Sequence, residues 1–309
     1  MNMAQSLSPR NILTMKTLLV LLLGGGGALI GVAIYFYGTP SSPESEAFIS
    51  SPAFITWMFV NEVLLALYPI VLLFLWPAFR QLGHLILRYF WGLLAISVLL
   101  LALFMLPTVL GQRIISGKPL PLEYASTKIF VLMTVGFFAS ALPLSIGICL
   151  IQIAISEKFK EMTLSEEDIQ TYICYRDYLQ RFLLALGVLL GIFILTGAAL
   201  RKAFIATGAA SVDTYPQIYL LLVGAYYTLL IALVYFPTYT TLVATGNNIL
   251  EHYFALPAPD ASSWNDVNTK RKAFEELLEL KVTGEQRFLT NITILAPFVG
   301  SIFSLLADK

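Results

Sequence analysis

Charge is what this chain has least of. Only 12% of its 309 residues are charged and 58% are hydrophobic, against roughly 25% charged in an average soluble domain. That balance excludes a water-soluble globular fold. Basic and acidic residues number 19 each, so the formal net charge is zero and no bulk basic surface exists to hold nucleic acid by counterion release. Histidine is limited to His84 and His252, in or near polar connections, which leaves catalytic sites built on several histidines little to work with. Cys149 lies in an apolar run and Cys174 in a polar one, so the two predict neither a disulfide nor a metal site.

Several chemical signatures are missing too. The chain has no GxxxxGK[ST] loop, no HExxH helix and no GxSxG elbow. No apolar run offers an activated nucleophile together with a base. The last run carries no lysine near its middle, as a retinal protein would need. An enzyme acting on lipid would lack a catalytic set, and no cofactor is expected. No repeat with a period of 20 to 50 residues is visible, nor an inverted repeat between halves.

Long apolar runs fill the space left by these absences. The central one, residues 53–79, contains a single acidic side chain, Glu62. At about 1.5 Å rise per helical residue, Glu62 falls roughly 13 Å into a hydrocarbon layer about 30 Å thick. A carboxylate there costs on the order of 3 kcal/mol, so it should be protonated, hydrogen-bonded, or turned to protein or water. Pro69 follows seven residues later and frees the carbonyl of Leu65 from its helical partner. Helical spacing puts Glu62, Ala66 and Pro69 on one face and Asn61, Leu65 and Tyr68 on the stripe beside it.

The fold class read from these runs is all-α: a polytopic integral membrane protein, one transmembrane domain over residues 1–309, with about seven spans. They are expected at 17–37, 53–79, 89–110, 129–155, 182–200, 215–245 and 288–307, the second, fourth, sixth and seventh interrupted by proline. A short loop around Arg80, Gln81 and Gly83 should make the second and third spans antiparallel neighbours. Gly27 and Gly31 in the first span, and Gly187 and Gly191 in the fifth, have the spacing that lets another helix approach closely. Lys128, opening the fourth span, is expected to extend its ammonium to the headgroups. The sixth span is rich in tyrosine, and Thr238, Thr240 and Thr241 follow Pro237, where they can satisfy a freed carbonyl or line a polar cavity.

Two polar connections, 156–181 and 246–287, predict helical segments on one side of the membrane. In the first, Ser165 stands three residues before Asp168, a capping pattern that starts a helix near Glu166. In the second, Ser263 can cap a helix whose apolar face holds Trp264, Val267, Phe274, Leu277 and Leu278, stopped by Gly284. Simple interfacial docking is favoured over a protein partner for that face.

Basic residues near the span ends concentrate in the N-terminal segment, around Arg80 and Arg88, and in those two connections; the other side has Arg113, Lys118, Lys128, Arg201, Lys202 and Lys309. The N-terminus and both polar connections are therefore expected in the cytoplasm. The Asn-x-Thr match at Asn291 falls inside a span, which favours a bacterial inner membrane. Transport or permeation of an ion or small solute is the leading function, with Glu62, Asn61, Tyr68, Thr238 and Thr241 as candidate site. The alternative is a membrane-embedded scaffold, sensor or effector meeting a protein partner at the cytoplasmic helices; a homo-oligomer is left open. A transporter should show a polar cavity reaching Glu62, whereas a scaffold should bury it against neighbouring helices.

Overall fold

The computed structural model describes residues 9–38, 42–114, 120–160, 165–255, 264–280 and 284–306, and among these it is helical without a strand. In chain order the helices are α1 (Pro9–Phe36), α2 (Pro43–Ile49), α3 (Pro52–Arg88), α4 (Phe90–Ile114), α5 (Ala125–Gly136), α6 (Leu142–Lys158), α7 (Glu166–Ala206), α8 (Gln217–Tyr253), α9 (Trp264–Leu277) and α10 (Gly284–Leu306). A π-helical segment, Phe137–Ala141, joins α5 to α6 without a break, so these three form one apolar unit, Ala125–Lys158. Among the described residues six helices are long and apolar enough to cross a membrane, and α10 contributes a shorter apolar stretch, Ile292–Phe303.

Helix starts follow the local chemistry. Ser42 and Ser51 accept from the backbone amides of Ser45 and Phe54, and each precedes a proline that opens its helix. The capping box at α7 forms as its spacing predicts: the Asp168 carboxylate accepts from the Ser165 amide at 2.8 Å. The proposed cap at Ser263 lies outside the described residues.

Two boundaries differ from the sequence reading. The loop expected around Arg80, Gln81 and Gly83 is helix, because α3 runs to Arg88 and a single residue, Tyr89, separates it from α4. Leu82 and Leu85 explain the continuation: they extend the apolar stripe and are buried to 0% and 1% exposure, and an isolated glycine costs too little to stop a helix so anchored. Gly284 does not end α9, which stops at Leu277; it opens α10. Residues 166–181 and 246–253 are extensions of α7 and α8. Pro69, Pro77, Pro107, Pro237 and Pro297 all lie inside continuous helices; among the described residues the change of helical pitch is the π segment, two residues before Pro143.

The bundle is arranged around α7, half of whose apolar window is buried; it packs against α3, α6, α8 and α10. Glycine sets the closest approaches. A Cβ on Gly187 would fall on the carbonyl oxygen of Thr293, and one on Gly300 would stand 3.0 Å from that of Gly191, so α7 and α10 meet backbone to backbone. Helix α1 is peripheral, with 11% of its window buried, and leans on α3 through the same device. A Cβ on Gly27 would fall on the Leu65 carbonyl oxygen, while Gly25 and Gly26 face open space. The paired glycine spacings therefore mark real helix seams.

Lys128 departs from expectation. Its side chain is buried to 4% exposure, and its ammonium donates to the carbonyl oxygen of Tyr35 at 2.8 Å. Tyr35 lies in the last turn of α1, whose carbonyls have no helical donors, so a cation from α5 satisfies one of them and faces the negative end of the helix dipole.

Candidate functional site

The candidate residues separate into distinct places. Both carboxylate oxygens of Glu62 are shielded and have no hydrogen-bond partner among the described residues; they lie over Gly31 of α1, where a Cβ would stand 2.5 Å from Oε2 and 2.7 Å from Oε1. The Val32 backbone amide approaches the carboxyl without hydrogen-bond geometry. The Tyr35 hydroxyl, one turn further along α1, is also buried and unpartnered. Thr238 sits between helices, fully buried, donating to the carbonyl oxygen of Ile148 on α6 at 3.3 Å. Thr240 and Thr241 return their hydroxyls to the Pro237 carbonyl at 2.9 Å each, the reading in which these hydroxyls satisfy backbone rather than line a cavity, although the carbonyl is that of Pro237 itself and not Leu233.

Asn61 and Tyr68 belong to something larger. They line a cavity of about 690 Å³ at the end of the bundle that carries the 120–124 and 207–216 connections, within the range of roughly 300 to 1,000 Å³ typical of small-molecule sites. From α3 come Trp57, Asn61, Leu64, Leu65 and Tyr68; from α4, Pro107 and Thr108; and from the start of α5, residues from Ala125 to Met133. The far wall is α7 from Phe193 to Phe204 and α8 with Tyr215, Tyr219, Val223 and Tyr227. Glu62 is not among the lining residues. The two adjoining stripes recognised on this helix thus meet different neighbours, Glu62 lying over α1 and Asn61 lining the cavity, with Leu65 reaching both.

Among the described residues no lining residue is charged. The two cations nearest in sequence are turned to backbone: Lys128 to Tyr35, and Arg201, 3% exposed, to the carbonyl oxygen of Tyr215 at 2.8 Å. Polar groups are few. Asn61, 6% exposed, donates one amide N–H to the Trp57 carbonyl at 3.0 Å, and its own carbonyl oxygen has no protein partner among the described residues. The Tyr68 hydroxyl lies over Gly136 and beside Ser140, and Thr196 donates to the Phe193 carbonyl at 2.7 Å.

An aromatic cluster packs behind the cavity wall at Phe193 and Tyr227. Phe104 of α4 contacts Phe137, Phe193 and Tyr227 at centroid distances of 5.1, 5.5 and 5.3 Å. Beyond it a void of about 10 Å³, lined in part by Phe104, Phe137 and Ser145, has room for about one water. Phe137 opens the π segment, a distortion that costs regular hydrogen bonding and is frequent at functional sites.

The tyrosines and phenylalanines of this site do not stand out as a group in the sequence. A signal exists: Tyr219, Tyr226 and Tyr227 recur at helical spacing within the tyrosine-rich run. Their partners on α4 lie more than a hundred residues away, and only the fold brings them together. Among the described residues no group of His, Cys, Asp and Glu is placed to hold a metal ion. No protein-family model matches the chain, no curated protein matches it, and no solved structure matches it.

Proposed function

We propose that the chain is a multi-pass transport protein that takes a small, uncharged solute into the cavity of about 690 Å³ between α3, α4, α5, α7 and α8. The observation that carries this reading is the cavity itself: its described lining bears no charge, and Phe193 and Tyr227 of its wall pack on the Phe104 ring behind them. On this reading α10 is the seventh span and the N-terminus is cytoplasmic, as the distribution of basic residues favours. The cavity then faces outward, in a bacterial inner membrane. The aromatic cluster is the barrier a solute passes, and the solute route runs past Asn61 and Tyr68, with Glu62 a contact between α1 and α3.

Purified protein in liposomes, assayed against a panel of ions and uncharged solutes, tests this directly. Flux of an uncharged solute is expected, faster in Phe104→Ala, where the barrier loses a ring. Absence of flux for every solute in both proteins removes the transport reading.

A scaffold or effector role is the second reading, and one surface favours it. On α9, Phe274 packs on Tyr253 and Phe254, while Leu277 is 53% exposed and free to meet another protein. Loss of a co-purifying partner on Leu277→Ser, with flux absent, would support it.

A further inference from the structure

Resting on the reading of the cavity as the solute site, we propose that its ligand is a neutral long-chain hydrocarbon bearing a hydrogen-bond donor such as a hydroxyl, which enters sideways from the bilayer between α4 and α5. Four observations converge on that class. The described lining has no charged residue, so an ionised headgroup or an inorganic ion would leave water without compensation from it. Lys128 and Arg201, the cations that a phosphate or carboxylate would seek, donate to the carbonyls of Tyr35 and Tyr215.

Asn61 supplies the polar complement. It is more than nine-tenths buried, lines the cavity, and holds a carbonyl oxygen that no protein group among the described residues satisfies. An acceptor in apolar surroundings selects a donor: a hydroxyl there regains a hydrogen bond that an alkane of the same length cannot offer. Trp57, Leu64 and Leu132 around it accept the chain.

The route is written in which lining residues also face outward. Tyr124 and Phe130 line the cavity and are 57% and 61% exposed. Phe130 lies in the apolar unit that crosses the membrane, so its outward side meets lipid. Across the seam the Thr108 hydroxyl of α4 reaches the Met133 sulfur of α5 at 3.6 Å, a weak contact between two helices of which α4 is otherwise held to α3, α6 and α8 and α5 to α1 and the π segment.

The test uses the full chain in liposomes and a primary alcohol of about sixteen carbons with a diazirine at mid-chain, its hydroxyl-free alkane analogue, and the fatty acid of the same length. After irradiation, cross-links are expected at cavity residues such as Met133 and Val223. Unlabelled alcohol should compete about tenfold better than the alkane, the size of one neutral hydrogen bond, and Asn61→Leu should erase that difference. Val223→Phe, which fills the cavity, should abolish cross-linking at Met133. A disulfide between Thr108→Cys and Met133→Cys, formed by copper phenanthroline in a background lacking Cys149 and Cys174, should slow uptake. Cross-links confined to lipid-facing positions such as Leu99, or equal competition by alcohol, alkane and fatty acid, overturn the proposal. If some other solute shows flux that Val223→Phe blocks while the alcohol fails, transport stands and this ligand class falls. Specific alcohol binding without any flux supports the ligand class and removes transport.

Discussion

The hydroxyl of Tyr226 on α8 donates to the carbonyl oxygen of Leu103 on α4 at 2.7 Å, four residues before Pro107. Proline has no amide hydrogen, so that carbonyl has no helical donor, and in hydrocarbon no water replaces it. Tyr219 and Tyr227 donate likewise to the carbonyls of Pro107 and Phe104. Three side chains of one helix thus attach the cavity's α4 wall, at the point where proline weakens it.

Tyr226→Phe is expected to lower thermal stability by about 1 kcal/mol, because the Leu103 carbonyl then has no partner. Pro107→Ala restores an amide donor to α4. In that background Tyr226→Phe should cost much less, giving a coupling of roughly 0.5 to 1.5 kcal/mol in a double-mutant cycle. Equal cost in both backgrounds means that Tyr226 acts through packing alone.

The glycine seams predict unequal tolerance within one run. Gly27→Leu should detach α1, since its side chain would enter the Leu65 carbonyl, whereas Gly26→Leu faces open space. Limited proteolysis of the N-terminal helix in liposomes should separate the two variants. Identical digestion of both would mean that α1 is held by something other than this contact with α3.

How much of this is legible in the sequence depends on the range of the interaction. The spacing of Gly27 with Gly31 and of Gly187 with Gly191, and the pair Ser165 and Asp168, express contacts local to a helix face or a helix start, and each appears in the structure. The continuation of α3 through Gly83 is hidden from a local reading because Leu82 and Leu85 are buried by tertiary packing, which overrides a weak local break. The cavity is not legible either: its walls come from five helices whose lining residues run from Trp57 to Tyr227. Asn61 and Tyr68 stand out for their polarity within an apolar run, but which way each stripe faces depends on where α1 and α7 pack.

Topology can be checked with single cysteines at Ser42 and Lys272 in a background lacking Cys149 and Cys174. Ser42 lies before α3 and Lys272 is exposed on α9, so membrane-impermeant reagent should label them from opposite sides, Ser42 from outside. Labelling of both from one side would remove the seven-span arrangement.

Docking of the α9 segment should rest on Phe274 and Leu278. Leu278 is 1% exposed and Phe274 packs at 5.2 Å from the Phe254 ring, whereas Leu277, expected on the same apolar face, is turned outward. Arg176 of α7 adds a hydrogen bond to the Leu277 carbonyl at 3.0 Å. Leu278→Ser should therefore cost roughly 1.5 to 3 kcal/mol of burial and increase protease cleavage near Trp264, and Leu277→Ser should leave cleavage unchanged. The reverse order would assign the docked face to Leu277.

Glu62 divides the remaining readings most sharply. Its carboxyl lies over Gly31 and has no hydrogen-bond partner among the described residues, so the protein gains nothing from its polarity in this state. Glu62→Leu removes an unsatisfied buried group and is expected to raise stability by about 1 to 3 kcal/mol, provided the leucine fits over Gly31. Glu62→Gln keeps the shape and remains unsatisfied, so its melting temperature should stay near that of the parent chain. Solute flux through the cavity should survive both changes, because Glu62 is not among the residues that line it. Loss of flux in Glu62→Gln at unchanged stability would reverse this assignment: the titratable carboxyl itself, and with it movement of α1 away from α3, would then belong to the transport cycle.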